Sequence, residues 1–215
     1  MILARILYNM GEVKDRLKDE ISDEEMGKEK VPAIIATIGA LEIDSQKKLE
    51  MQKSFPGILF MGDWHESKIN RKFFESIIGE LRNPPHFINA YTLYDIIEEL
   101  NKRKMVVGEL EIRKRGLDSA HAVLWVDGNG KGTISESTAI CMTEGWNKKC
   151  NAFVNWEAGD DTTLFKEKPF LADFINPIIK YGNIDELRAK LITNAIRLAK
   201  NWVNEKMASE DHDKK

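Results

Sequence analysis

The sequence of 215 residues has only two cysteines and six prolines. Cys141 and Cys150 are too few for the disulfide framework of a small secreted protein, although one bridge between them stays open. No segment reaches the roughly 18 consecutive apolar residues of a membrane-spanning helix. The apolar start, residues 1–8, is interrupted by Arg5 and lacks a cleavage site of small residues, so it does not predict a secretory signal. We therefore expect reduced thiols in a cytoplasmic protein.

An excess of one charge is also missing. The chain has 35 acidic and 32 basic side chains, a net charge of -3, and the two signs are mixed along it. Nucleic acids and anionic membranes bind strongly basic patches, so we expect neither as a partner. Hydrophobic residues make up 42% of the chain, which is enough for one substantial core. We predict a single domain at 1–207, which can include a helical part at 1–30, and a disordered tail at 208–215.

Hydrophobic periodicity predicts an α/β protein, with α+β as the alternative. Short apolar runs at 32–39 and 58–61 are typical of buried strands. Helices are predicted where apolar residues recur at three- or four-residue spacing, several of them behind a capping pair such as Thr92 with Asp95 or Asn183 with Glu186. The predicted helices cover residues 41–55, 63–81, 92–100, 170–179 and 183–203. The last of these has a wide apolar stripe that predicts packing on the sheet or on a second copy of the chain.

The stretch from Met105 to Ser137 predicts three consecutive strands. Val106–Lys114 is rich in β-branched residues, Ala120–Val126 is a seven-residue apolar run, and Thr133–Ser135 is short. Between the last two lies Asp-Gly-Asn-Gly, a strong hairpin signal. We therefore predict a mixed sheet with an antiparallel hairpin at 120–137, flanked by helices.

A single histidine, His121, stands at the start of the apolar run. An imidazole changes protonation near neutral pH and can serve as a general base. Glu136, on the strand predicted to pair with that of His121, is a candidate acceptor that would hold its tautomer. Cys150 is the candidate nucleophile, because it begins a segment that could be a helix whose amino terminus would lower the thiol pKa. Each residue also has a structural reading: a hydrogen-bonded core histidine, a solvent-facing hairpin glutamate and an inert thiol.

The segment His-Ala-Val-Leu-Trp-Val-Asp-Gly-Asn-Gly-Lys-Gly-Thr-Ile-Ser-Glu resembles the core of papain-like cysteine peptidases, over roughly 50 residues. The order histidine, acid, cysteine is similar to the branch that contains the ubiquitin-like-modifier proteases. The resemblance implies a thiol hydrolase or acyl-transfer enzyme acting on an amide or thioester bond of a protein or peptide. His121 would be the base, Glu136 the orienting acid and Cys150 the nucleophile, with an acyl-enzyme intermediate and no cofactor. In this chain Ala122 follows the histidine, where the modifier proteases usually have tryptophan.

Two other functions stay open. One is an inactive member of the same fold that binds proteins through its carboxy-terminal helix. With either function, the helix at 183–203 could also form homo-oligomers. The other is a metal-dependent nuclease of the restriction type, in which Glu109 and Glu111 on one strand would bind the metal with Asp63. In that class a lysine usually stands two residues after an acid, whereas Arg113 stands two residues after Glu111. The cluster Asp63-Trp64-His65-Glu66 is also consistent with plain helix capping.

Overall fold

The computed structural model describes residues 46–48, 50–51, 53–62, 69–128, 131–157 and 169–212. Residues 55–202 form one compact unit, and the described residues outside that range belong to a second. Those described between 46 and 53 are helical, in agreement with the helix predicted at 41–55. The predictions for residues 1–39 and for the helix start at Asp63 lie outside the described residues.

The unit at 55–202 is built on a sheet of five parallel strands, which confirms the α/β class. Each strand pairs in parallel with its neighbours, in the order β2-β1-β3-β4-β5. Parallel strands need long crossover connections, and these are mostly helical here. The strands are β1 (Ile58–Gly62), β2 (Ala90–Thr92), β3 (Ala122–Val126), β4 (Cys150–Asn155) and β5 (Ile178–Tyr181).

Among the described residues, five α-helices lie in this unit or begin in it: α1 (Arg71–Arg82), α2 (Leu93–Lys102), α3 (Glu109–Ser119), α4 (Lys131–Met142) and α5 (Ile184–His212). The predicted cap of α2 is confirmed, because the Asp95 amide N–H donates to Thr92 Oγ1 (3.4 Å) and the Thr92 amide donates to Asp95 Oδ2 (2.8 Å). At the start of α5 the Glu186 amide donates to Asn183 Oδ1 (2.9 Å), again as predicted. Helix α5 continues to His212, into the stretch predicted to be a disordered tail.

The predicted antiparallel hairpin at 120–137 is wrong. Its first strand exists as β3, but residues 133–135 lie in helix α4, and residues 109–114 of the other predicted strand lie in helix α3. In α3, Glu109 pairs with Arg113 and Glu111 with Arg115 at i,i+4 spacing, which supports a helix. The prediction of a helix at 170–179 is also wrong, because a short 3₁₀ helix ends at Asp173 and β5 begins at Ile178.

Two apolar clusters cover the two faces of the sheet. The first joins alternate strand residues such as Phe60 and Phe153 to α1 and α5, and the second joins the remaining strand residues, such as Trp125, to α3 and α4. Strands buried on both faces explain the near-continuous apolar sequences of β1 and β3. The stripe of α5, including Leu187 and Leu191, is buried in the first cluster, so it packs on the sheet of its own chain. Homo-oligomers through this helix stay a prediction.

Candidate functional site

The strand order places a topological switch point between β1 and β3. From β1 the chain passes to β2 on one side, then crosses back over β1 to β3 and continues to β4 and β5 on the other. Helix α1, which follows β1, packs in the first cluster, and α4, which follows β3, packs in the second. The connections that leave the carboxyl ends of β1 and β3 therefore diverge to opposite faces. In open parallel sheets this divergence forms the crevice in which ligands bind.

Gly62 brings β1 and β3 close together at this edge. It is the last residue of β1, pairs with Val126 and has φ +146°, a conformation that side chains disfavour. A Cβ atom on Gly62 would lie 2.9 Å from Val126 Cβ and would overlap the Val126 carbonyl oxygen. Only glycine fits this approach, and it keeps the two strands paired up to the crevice.

Buried polar side chains concentrate beside the switch point. Five polar or charged residues are buried in the described part of the chain, and three of them, Asp127, Glu136 and Ser137, belong to the connection after β3 or to the middle of α4. They are 4%, 7% and 1% exposed. The other two buried polar residues lie elsewhere: Thr92 caps α2, and Asn151 is the second residue of β4.

The backbone places these three residues over the same face of the sheet. Asp127 directly follows β3, and its amide N–H donates to the carbonyl oxygen of Phe153 (2.8 Å). Side chains alternate along a strand, so Asp127 faces the same side as Trp125, which is in the second cluster. Glu136 and Ser137 lie one turn before Ile140 and Cys141, which are in that cluster too. Helix α4 starts at the carboxyl edge of the sheet and runs away from it. Glu136 and Ser137 are therefore nearer that edge than Ile140 and Cys141 are.

This arrangement suits proton transfer. Burying carboxyl groups is unfavourable unless the site stabilises them, and such groups are found more often at functional sites than in ordinary cores. Two carboxyl groups in one sheltered place can divide the roles of proton donor and proton acceptor. Their oxygens also accept hydrogen bonds from the hydroxyl or amino groups of a ligand.

His121 lies at the opposite edge of the sheet. It precedes the amino end of β3, and its amide N–H donates to the Gly57 carbonyl oxygen (2.9 Å). Its ring packs edge-on against Phe55 at 5.3 Å and against Trp202 at 6.5 Å, measured between ring centroids. Both aromatic residues belong to or pack against the first cluster. These contacts hold the half-buried His121 ring against aromatic residues of the first cluster.

Cys150 lies on the other face of the sheet from these aromatic contacts. It begins strand β4, pairs with Val123 and is fully buried in the second cluster. Burial raises the pKa of the Cys150 thiol far above its usual value, and neighbouring Cys141 raises it further. The structure therefore does not bring His121, Glu136 and Cys150 together. The thiol chemistry stays a prediction, and these positions do not support it.

Native Cys150 should be slow to alkylate. Only a thiolate reacts with iodoacetamide, and a buried thiol of raised pKa must wait for the sheet to open. We expect labelling at least about 100-fold slower in the native protein than in urea, since local opening of a core strand is rare. Mass spectrometry of a Cys141→Ser variant isolates this thiol. Native labelling as fast as in urea would identify a reactive cysteine and revive the thiol enzyme.

The carboxylates of the nuclease hypothesis are on a helix, not on a strand. Glu109 and Glu111 are both exposed on α3, and their carboxylates pair with Arg113 (2.7 Å) and Arg115 (2.9 Å). Residues two apart on a helix do not face each other. Asp63 and His65 lie outside the described residues. Among the residues that are described, no three His, Cys, Asp or Glu side chains form a group that could hold a metal ion.

No known protein family matches this sequence, and no curated protein is significantly similar to it. Within the described ranges, none of the helices has the length and apolar character needed to cross a membrane. The sequence pattern predicts Glu136 on a strand, where the structure has helix α4, and predicts Asp127 in a turn; no motif marks Ser137. An aspartate directly after a fully apolar strand was the signal that pointed to this edge.

Proposed function

We propose that this protein is a hydrolase or group-transfer enzyme that binds a small polar substrate at the carboxyl edge of its sheet, between β1 and β3. The observation that supports the proposal is the burial of Asp127, Glu136 and Ser137 beside the switch point. All three lie on the same face of the sheet, and buried carboxyl groups are found more often at functional sites than in ordinary cores.

Glu136 is the proposed general acid or base. It projects from the second turn of α4, and a helix holds a catalytic group more rigidly than a loop does. Asp127, fixed by its backbone hydrogen bond at the end of β3, would accept hydrogen bonds from the substrate and orient it. Ser137 would add a hydroxyl that can donate or accept. Such a set suits a substrate rich in hydroxyl or amino groups.

This proposal keeps the hydrolytic or transfer chemistry expected from the sequence and replaces the thiol nucleophile with carboxyl chemistry. The two alternatives differ in one respect that can be measured. A carboxyl enzyme should keep its activity when Cys150 is replaced by serine or alanine, whereas a thiol enzyme should lose it.

The test begins with a search for ligands. Thermal unfolding is recorded in the presence of each of a panel of small molecules rich in hydroxyl or amino groups. A ligand that binds only the folded state raises the midpoint temperature of unfolding. Each stabilising compound is then incubated with the protein, and mass spectrometry records its conversion. Replacing Glu136 with glutamine, which keeps the shape and removes the proton-transfer group, should lower turnover about 100-fold, a typical loss for a general acid or base.

Glu144→Gln is the matched control. It makes the same substitution beyond the end of α4, where the side chain is exposed and pairs with Lys148. We expect unchanged turnover in this variant. Turnover that survives Glu136→Gln in full would refute the proposal, and turnover that disappears only in a Cys150 variant would favour the thiol enzyme.

A further inference from the structure

Helices α2 and α3 follow each other in the chain and pack together as a hairpin. The close contact is at Gly116 of α3, where an added Cβ would lie 2.8 Å from Leu93 Cδ2 and 3.0 Å from Ile96 Cδ1, both on α2. At the other end of the hairpin, every residue from 101 to 111 except Val107 is exposed. Residues 101–111 are the hairpin tip, and they project into solvent.

The hairpin tip carries apolar side chains that the fold does not bury. Val106 is fully exposed, Leu110 is 77% exposed and Met105 is 42% exposed. The sequence alone predicted that Val106 and Leu110 belonged to a strand of the core. Single exposed apolar residues are ordinary, but neighbouring ones at a projecting tip are typical of surfaces that bind.

The same region is basic. Residues 99–115 contain six basic and three acidic side chains, a net charge of +3 in a chain whose net charge is -3. Each acidic residue pairs with an arginine four positions along, as Glu99–Arg103, Glu109–Arg113 and Glu111–Arg115. These pairs leave the excess charge on Lys102, Lys104 and Lys114, which are exposed. Lys104 directly precedes Met105, and Lys102 lies two residues before Lys104.

We propose that the hairpin tip binds the surface of an anionic lipid bilayer. Val106 and Leu110 enter the boundary between the headgroups and the acyl chains, while Lys102 and Lys104 contact lipid phosphates. Stable attachment to a bilayer takes two signals, an apolar insertion and a basic patch, and the tip supplies both. The proposal revises the expectation, drawn from mixed charges along the chain, that no membrane is a partner. It does not depend on the proposed enzymatic function.

A bilayer fits this surface better than other anionic partners do. Nucleic acid would use the lysines but would leave Val106 and Leu110 in water, because its phosphate backbone offers them no apolar contact. A protein partner would have to enclose a projecting tip in a groove of its own. A bilayer accepts a convex apolar tip without any prepared groove.

Vesicle sedimentation tests the proposal on the full chain. Vesicles of phosphatidylcholine alone are compared with vesicles that hold about one part phosphatidylserine to three parts phosphatidylcholine, at low and high salt. We expect binding to the anionic vesicles only, weakened by salt because lysines near the surface interact within a Debye length.

Two double variants separate the two signals. Val106→Asp with Leu110→Asp should lower vesicle affinity at least about tenfold, since the apolar burial is lost and a charge of the wrong sign is added. Lys102→Gln with Lys104→Gln should lower the affinity about 25-fold, because each lysine near the surface contributes roughly fivefold. These side chains are exposed, so circular dichroism should show an unchanged fold.

Matched controls carry the same changes elsewhere on the surface. Met142→Asp places an aspartate on another exposed apolar residue, and Lys72→Gln with Lys200→Gln removes two exposed lysines away from the tip. We expect both controls to bind anionic vesicles as the parent chain does. Equal losses in the controls and in the tip variants would overturn the proposal.

A fluorescent label at position 106 tests insertion directly. Val106→Cys gives one exposed thiol, whereas Cys141 and Cys150 are buried. The emission maximum of a polarity-sensitive dye on that thiol should move to a shorter wavelength when anionic vesicles are added. No shift, no binding of the parent chain to anionic vesicles, or binding to a DNA oligonucleotide in place of vesicles would each refute the bilayer as partner.

Discussion

Replacing Gly62 with alanine is expected to lower the free energy of unfolding by about 2–5 kcal/mol, because it adds backbone strain to overpacking. The backbone at Gly62 has φ +146°, which an alanine rarely adopts. The new methyl group would also overlap the Val126 carbonyl oxygen and lie 2.9 Å from Val126 Cβ. Val126 cannot move away, because it belongs to β3, a central strand that is paired on both sides.

Gly79→Ala is the control for this experiment. Gly79 lies within α1, and a Cβ there would meet nothing within 4 Å. Alanine is a better helix former than glycine, so we expect the free energy of unfolding to rise by roughly 0.5–1 kcal/mol. Urea unfolding followed by circular dichroism measures both variants. The close approach of β1 and β3 would be disproved if Gly62→Ala were as stable as Gly79→Ala.

Replacing Trp125 with alanine should destabilise the protein by about 3–5 kcal/mol, the usual cost of removing a large aromatic side chain from a core. Trp125 is the largest fully buried side chain of the described residues and belongs to the second cluster. Its loss leaves a cavity between the sheet and α4 that rigid neighbours cannot fill.

Trp156→Ala provides the comparison. Trp156 is 46% exposed and stacks with Lys180, whose Nζ lies 3.7 Å from its ring centroid. Loss of an exposed cation–π contact should cost only about 0.5–1 kcal/mol. Urea unfolding of the two variants measures both losses of free energy of unfolding. Similar losses in Trp125→Ala and Trp156→Ala would mean that the second cluster is less tightly packed than the structure shows.

Local chemistry made several elements predictable. Capping pairs located the starts of α2 and α5, because the residues that satisfy free backbone amides lie within one turn of each other. The apolar runs of β1 and β3 were recognisable as strands, since residues buried on both faces leave no polar alternation. The candidate site was only partly predictable, and Glu136 is its one residue that the sequence reasoning singled out.

The errors arose where one local pattern fits two structures. Asp-Gly-Asn-Gly is a good hairpin turn, yet glycines after a strand also suit the connection into a helix such as α4. Val106, Val107 and Ile112 favour a strand by their β-branched side chains, while the pairing of Glu109 with Arg113 is that of a helix. Periodicity over so few residues cannot choose between them.

By itself the sequence determined the α/β class, the capped helices α2 and α5 and the apolar strands β1 and β3, because those depend on neighbours within a few residues. Only the tertiary structure decided that the strands are all parallel and that Asp127, Glu136 and Ser137 are buried on one face of the sheet, while His121 lies at the amino end of β3. Strand direction depends on how the connections cross the sheet, and burial depends on which elements meet there. Both are set by contacts between residues far apart in the chain, on which local patterns carry no information.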